Sequence, residues 1–117
     1  MHELGIAFQI VRIALEAVPE DAKQAKVETV RLNIGKLSAI VPDSLRLCFD
    51  IATRGTPLDG ARLVINEIPA TDRCRTCNHE WQIDEYVFVC PECAGVDVEM
   101  VTGRELYVES IEIKDQL

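Results

Sequence analysis

Apolar residues recur along this chain with two different periods, and the switches between them mark out a short series of elements. Near the front, Leu4, Phe8, Val11, Leu15 and Val18 repeat at steps of four and three, broadened by Ile10 and Ala14. That spacing predicts a helix with one stripe facing a core. Pro19 ends it. The stretch "KVETVRLNIGKLS" alternates Val30, Leu32 and Ile34 with Arg31 and Asn33, the two-residue period of a half-buried strand stopping near Gly35. In "VPDSLRLCFDIATRGT" the pattern returns to helix, with Pro42 at the first helical position and Asp43 and Ser44 in the first turn. Leu45, Cys48, Phe49 and Ala52 form its apolar face and Gly55 its terminator, giving about three turns. "ARLVINEIPA" predicts a strand ended by Pro69, and "RELYVESIEI" a last one. In that last strand Leu106 and Val108 share one face while Ile111 and Ile113 have the opposite parity. Either both faces are partly buried or a bulge near Ser110 resets the phase.

Residues 70–103 lack this core-building pattern and hold four of the five cysteines. The expected architecture is therefore α+β: two helices on a sheet of about three strands, formed by residues 1–69 plus 104–117, interrupted by a β module at 70–103. Cys74 and Cys77 make one CxxC pair, "CRTC", and Cys90 and Cys93 a second, "CPEC", twelve residues further on. Four thiolates so spaced can surround one tetrahedral ion, each pair aiming two sulfurs the same way. A segment this short has little apolar surface to bury, so the metal would supply much of its folding free energy. Zinc is preferred; iron in a rubredoxin-like site is the rival, and a disulfide or thioredoxin-type redox pair fits less well without a βαβ surround. Trp81, Tyr86 and Phe88 are expected to cover the site as a small β ribbon. His79 reads as an exposed turn residue that could reach a thiolate, and Cys48 as a small buried hydrophobe.

Charge narrows the partners. Twelve Lys and Arg against twenty Asp and Glu give −8, which disfavours a general nucleic-acid binder. No apolar run approaches the roughly 18 residues of a membrane helix, and the front of the chain lacks a secretory pattern. A cytoplasmic protein is expected, where clustered thiols serve as metal ligands more often than as disulfides. His2 and His79 are the only histidines, and neither a nucleophile elbow nor a phosphate-binding glycine loop is present. The chain is not expected to be an enzyme.

The opening "MHE" admits two readings. In the plainer one, His2 is solvated and Glu3 complements the positive end of the first helix. In the other, the α-amino nitrogen of Met1, the backbone nitrogen and imidazole Nδ1 of His2, and the amide nitrogen of Glu3 chelate one ion. Four nitrogens in a plane suit Ni(II) or Cu(II) rather than zinc. The first amides of a helix have no intrahelical acceptor, so deprotonating one breaks no helical bond. Protons compete for every donor, so such a site weakens in acid.

Across nearly its whole length the chain resembles the HypA/HybF hydrogenase nickel-incorporation proteins. The resemblance rests on "MHEL", on "RLNIGKLSAIVPDSLRLCFD" with "RGTPLDGARL", on "CRTC" and "CPEC", and on "GRELYVESIEI", in that order. It implies nickel, as transferred cargo, at Met1, His2 and Glu3, and structural zinc at Cys74, Cys77, Cys90 and Cys93. It also implies delivery of nickel to the hydrogenase large subunit precursor alongside a HypB-type GTPase. Some members carry a histidine directly after a CxxC pair; here Asn78 and Ala94 stand there. The competing reading is a zinc-ribbon protein-interaction adaptor without metal transfer.

Overall fold

The computed structural model of the chain describes residues 2–114. The chain divides into two compact units, one built from the residues up to Asn33, Ile40–Asn66 and Tyr107 onward, the other from Ile34–Ala39 and Glu67–Leu106.

In the first unit, α1 (Glu3–Ala17) and α2 (Pro42–Ala52) pack on each other. The buried face of α1 is Ala7, Ile10, Val11 and Ala14, continued by Val18, whereas Leu4 and Phe8 are exposed and Leu15 is half-buried. This corrects the predicted stripe. Two overlapping stripes satisfy the same helical period, and packing turns inward the one that carries two alanines, whose small side chains let helix backbones approach closely. α2 forms as expected, with Pro42 in its first turn and Leu45, Phe49 and Ala52 buried. Cys48 is only half-buried.

The sheet of this unit has the order β2-β1-β6, from β1 (Val27–Gly35), β2 (Arg62–Ile68) and β6 (Leu106–Ile113). Its central strand is more deeply buried than alternation alone predicts, because neighbours on both sides cover it: Thr29 and Asn33 are buried together with Val30, Leu32 and Ile34. Asn33 Oδ1 accepts a bond from Asn66 Nδ2 at 3.1 Å, which satisfies a buried polar side chain. Arg31 pairs with Glu112 at 2.9 Å, and the Arg31 guanidinium holds the Glu112 carboxyl below the usual carboxylate range. In β6 the half-buried positions are Val108, Ile111 and Ile113, so burial changes parity within the strand.

The second unit is an antiparallel sheet of order β4-β3-β5: β3 (Ala70–Cys74) in the centre, β4 (Glu80–Ile83) and β5 (Val98–Thr102) at the edges. Asp72 lies opposite Trp81 on one side and Met100 on the other. Arg73 and Arg75 form ion pairs with Glu80, Glu99 and Asp97, a half-exposed network joining the three strands. The 34–39 segment is tied in by backbone bonds from Gly35 to the Glu105 carbonyl at 2.8 Å, from Lys36 to Ile68 at 2.9 Å and from Leu37 to Gly103 at 2.8 Å.

Gly35 and Gly103 cross here with no room for a side chain. A Cβ on Gly35 would stand 2.1 Å from both the carbonyl carbon and the oxygen of Gly103. That obstacle is backbone and cannot rotate away, so Gly35→Ala is expected to destabilise the protein by about 3 kcal/mol or more. Urea unfolding of the zinc-loaded variant checks it; a midpoint equal to the parent's contradicts the crossing.

Candidate metal centre

Cys74 ends β3, and the chain turns back over residues 75–79 to start β4 at Glu80. Two backbone bonds make the turn: Asn78 N–H to the Cys74 carbonyl at 2.8 Å, and Cys74 N–H to the His79 carbonyl at 2.9 Å. The second pair repeats the arrangement, with Ala94 N–H to Cys90 at 2.9 Å and Cys90 N–H to Gly95 at 2.9 Å. Each turn needs a left-handed residue directly after its second cysteine, supplied by Asn78 (φ 65°) and Ala94 (φ 58°). Asn adopts this conformation at little cost, whereas Ala pays about 1 kcal/mol.

These turns bring the four sulfurs within 4.8 Å of one another. Cys74 Sγ lies 3.6 Å from Cys93 Sγ, and Cys77 Sγ 3.6 Å from Cys90 Sγ. A tetrahedral zinc with Zn–S bonds of about 2.3 Å requires sulfurs about 3.8 Å apart, so the donor set fits zinc in number, type and spacing. Cys74 and Cys90 are buried while Cys77 and Cys93 are exposed, which leaves one side open to an entering ion.

Ionisation of the cluster shows why it suits a cation. The Cys77 and Thr76 amides donate to Cys74 Sγ and, against the effect of burial, hold that thiol down at about 6. The His79 amide donates to Cys77 Sγ, yet partial desolvation by the packed cluster and the Cys90, Cys74 and Cys93 sulfurs push Cys77 up to about 12. The Cys93 thiol is also raised: the Gly95 amide lowers it, but the Cys74 sulfur and burial outweigh that donor. The Cys74 thiolate forms readily while Cys77 and Cys93 resist, so a divalent ion is what lets these three be anionic together.

The aromatic residues are arranged otherwise than predicted. Trp81 lies on β4 and stacks on the His79 ring at 5.6 Å. Tyr86 and Phe88 lie in an irregular stretch and are about half exposed, so the three form no ribbon. β4 pairs with β3 instead, which ends the expected hairpin between the cysteine pairs at Ile83. His79 is half-buried against Trp81 and does not join the sulfur cluster.

Asp72 was not legible as a special residue in the sequence. Ala70, Asp72 and Cys74 form the buried face of β3, and among the described residues neither Asp72 carboxylate oxygen has a hydrogen-bond partner. Burial pushes its carboxyl up. A folded-state value above the unfolded one means that the folded protein holds the proton more tightly, so the cost of this residue grows as pH rises above the ordinary carboxylate range. Asp72→Asn removes the charge and is expected to stabilise the zinc-loaded protein at pH 7 by about 1–3 kcal/mol, with the gain vanishing as pH falls to the ordinary carboxylate range. Thermal unfolding across pH checks it; a variant less stable than the parent at pH 7 contradicts an unpartnered carboxylate.

At the other end of the chain, His2 occupies the N-cap of α1, exposed and with no side-chain cap bond. Its carbonyl accepts the Ile6 amide at 3.2 Å. Glu3 Oε2 accepts the Val41 amide, the N-cap of α2, at 3.4 Å. Met1 lies outside the described residues.

Two helices with two small sheets and a four-cysteine cluster consistent with a zinc ribbon define a small α+β protein with a candidate metal centre. The model of the family described as "Hydrogenase/urease nickel incorporation, metallochaperone, hypA" matches residues 1–113, and the chain belongs to this HypA family. Among its relatives, the hydrogenase maturation factor HypA of Desulfosudis oleivorans is 50% identical over 98% of this chain and 100% of that protein. The factor of the same name from Nostoc punctiforme is 50% identical over 98% of this chain and 97% of its own length. In fold, the chain resembles the solution structure of the Ni metallochaperone HypA from Helicobacter pylori, with a TM-score of 0.68 at 24% identity, covering 99% of this chain and 100% of that one. Among the described residues no helix is long and apolar enough to cross a membrane.

Proposed function

We propose that this protein is a nickel carrier that binds Ni(II) through Met1, His2 and Glu3 and hands it to the large subunit precursor of a [NiFe] hydrogenase, working with a HypB-type GTPase. The observation that carries the nickel site is the state of α1's first residues. His2 is exposed and caps nothing, and the amides there have no intrahelical acceptor. Glu3 enters through its backbone nitrogen, because its carboxylate is engaged by the Val41 amide.

In the same reading Cys74, Cys77, Cys90 and Cys93 hold a structural zinc. Residues 70–103 are the zinc-binding insertion, and 1–69 plus 104–117 the nickel-binding domain. With all four zinc positions filled by sulfur, no coordination site is left for a catalytic water, which supports a carrier rather than an enzyme. Transfer takes place in the cytoplasm without nucleic acid or membrane.

Metal analysis and nickel titration of untagged, zinc-loaded protein test this reading, compared with protein carrying two extra residues ahead of Met1. Extension removes the chelating amine from the site, so loss of nickel binding with zinc retained supports it. Equal nickel affinity in both refutes the terminal site.

A further inference from the structure

Between β4 and the second cysteine pair the chain reads Asp84, Glu85, Tyr86, Val87, Phe88, Val89. The last four are large apolar residues in succession, each between 42% and 50% exposed. Such a run normally forms a covered strand. Here it belongs to neither sheet, and among the described residues no backbone N–H or C=O of 84–89 has a hydrogen-bond partner. Tyr86 and Phe88, two positions apart, hold their rings 6.3 Å from each other, which matches the side-chain repeat of an extended chain. The stretch is also anchored at one side chain: Tyr86 donates its hydroxyl to the Leu37 carbonyl at 2.9 Å, and the Arg104 guanidinium sits 5.2 Å from its ring centre. An apolar, anchored length of backbone with unpaired donors and acceptors is a template for a further strand.

Charge selects the occupant. Asp84 and Glu85 precede the run and Glu92 follows it, all exposed and, among the described residues, in no ion pair. Two copies paired antiparallel about this run would set the leading acids of one near the trailing acid of the other, and like charges across a strand pair are destabilising. The whole chain carries −8, which adds to that repulsion. A strand from another protein with basic residues at both ends meets the opposite situation.

We propose that residues 84–89 are a β-addition site for an extended segment of a partner protein, apolar along its middle and flanked by Lys or Arg. This interaction is independent of nickel at the amino terminus.

The test uses the full, zinc-loaded chain and a capped peptide of sequence Lys-Lys-Thr-Val-Thr-Val-Lys-Lys, with a control in which glutamates replace the lysines. Amide hydrogen exchange is followed residue by residue by NMR. The lysine peptide is expected to slow exchange at Tyr86–Val89 by about tenfold or more, and the glutamate peptide to leave it unchanged. Raising salt from about 0.05 to about 0.5 M is expected to weaken binding severalfold. The double variant Asp84→Lys, Glu85→Lys alters only exposed positions and should keep its zinc, yet lose about tenfold in affinity for the lysine peptide. The proposal is overturned by unchanged exchange at these amides, by equal protection from both peptides, or by protection that grows with protein concentration alone, which would make a second copy the occupant.

Discussion

Untagged protein carrying His2→Ala is expected to bind nickel about a hundredfold or more weakly than the parent while keeping its full complement of zinc. The proposed chelate takes three donors from backbone or amine and only one from a side chain, so this substitution removes the single imidazole and the ring it closes. Nothing else should change, because His2 is exposed and its side chain caps no helix. Glu3→Gln is the informative companion. Its amide oxygen can still accept from Val41, and its backbone nitrogen is untouched, so nickel affinity is expected to stay within about threefold. Isothermal titration at neutral pH reads both, and affinity should fall for the parent as the solution is acidified, since protons compete for each nitrogen. In cells, hydrogenase activity should drop with His2→Ala and recover with excess nickel. Undiminished nickel binding by the His2 variant would remove the proposed site.

The second large effect is at the sulfur cluster. Zinc held by such sites contributes about 10–16 kcal/mol of apparent binding free energy, comparable with the whole stability of a small domain. Cys90→Ala takes away a buried sulfur whose backbone also makes both bonds of the second turn. The variant is expected to lose zinc and, with it, the ordered state of β3, β4 and β5. Chelation of zinc from the parent should do the same. The buried side chains of the first unit, Leu32, Leu45, Phe49 and Leu58 among them, do not draw on the metal, so α1 and α2 should persist. Metal analysis together with amide NMR spectra distinguishes the outcomes: full zinc content, or unchanged signals for residues 70–103, would show that the sulfurs do not hold this unit together.

Elements whose cause is local were legible in the sequence. Pro42 sets the start of α2 by its own ring, and Val30, Leu32 and Ile34 alternate because a strand alternates. The cysteine spacing announced its turns for the same reason. Features set by distant partners were not legible. The inward face of α1 depends on α2, which turns Ala7 and Ala14 toward the core and leaves Leu4 and Phe8 outside. The crossing of Gly35 and Gly103 joins positions far apart in the chain, and glycine occurs for too many reasons to signal it. β3 stayed hidden because the middle of its buried face is Asp72, a residue that reads as solvent-facing. The aromatic ribbon failed for a related reason: composition marked Tyr86 and Phe88 as strand-like, but among the described residues no strand pairs with them.

The two halves of the sulfur cluster are not equally prepared. Cys74 closes a central strand, and Cys77 follows it within one tight turn, with β4 beginning immediately after. Cys90 and Cys93 instead come after an unpaired stretch and before β5, where only their own turn shapes the chain. Ordering the later pair therefore costs more conformational entropy than ordering the earlier one. Once the ion is bound, the later pair is therefore the looser half of the cage, and loss of zinc is expected to begin with those two sulfurs.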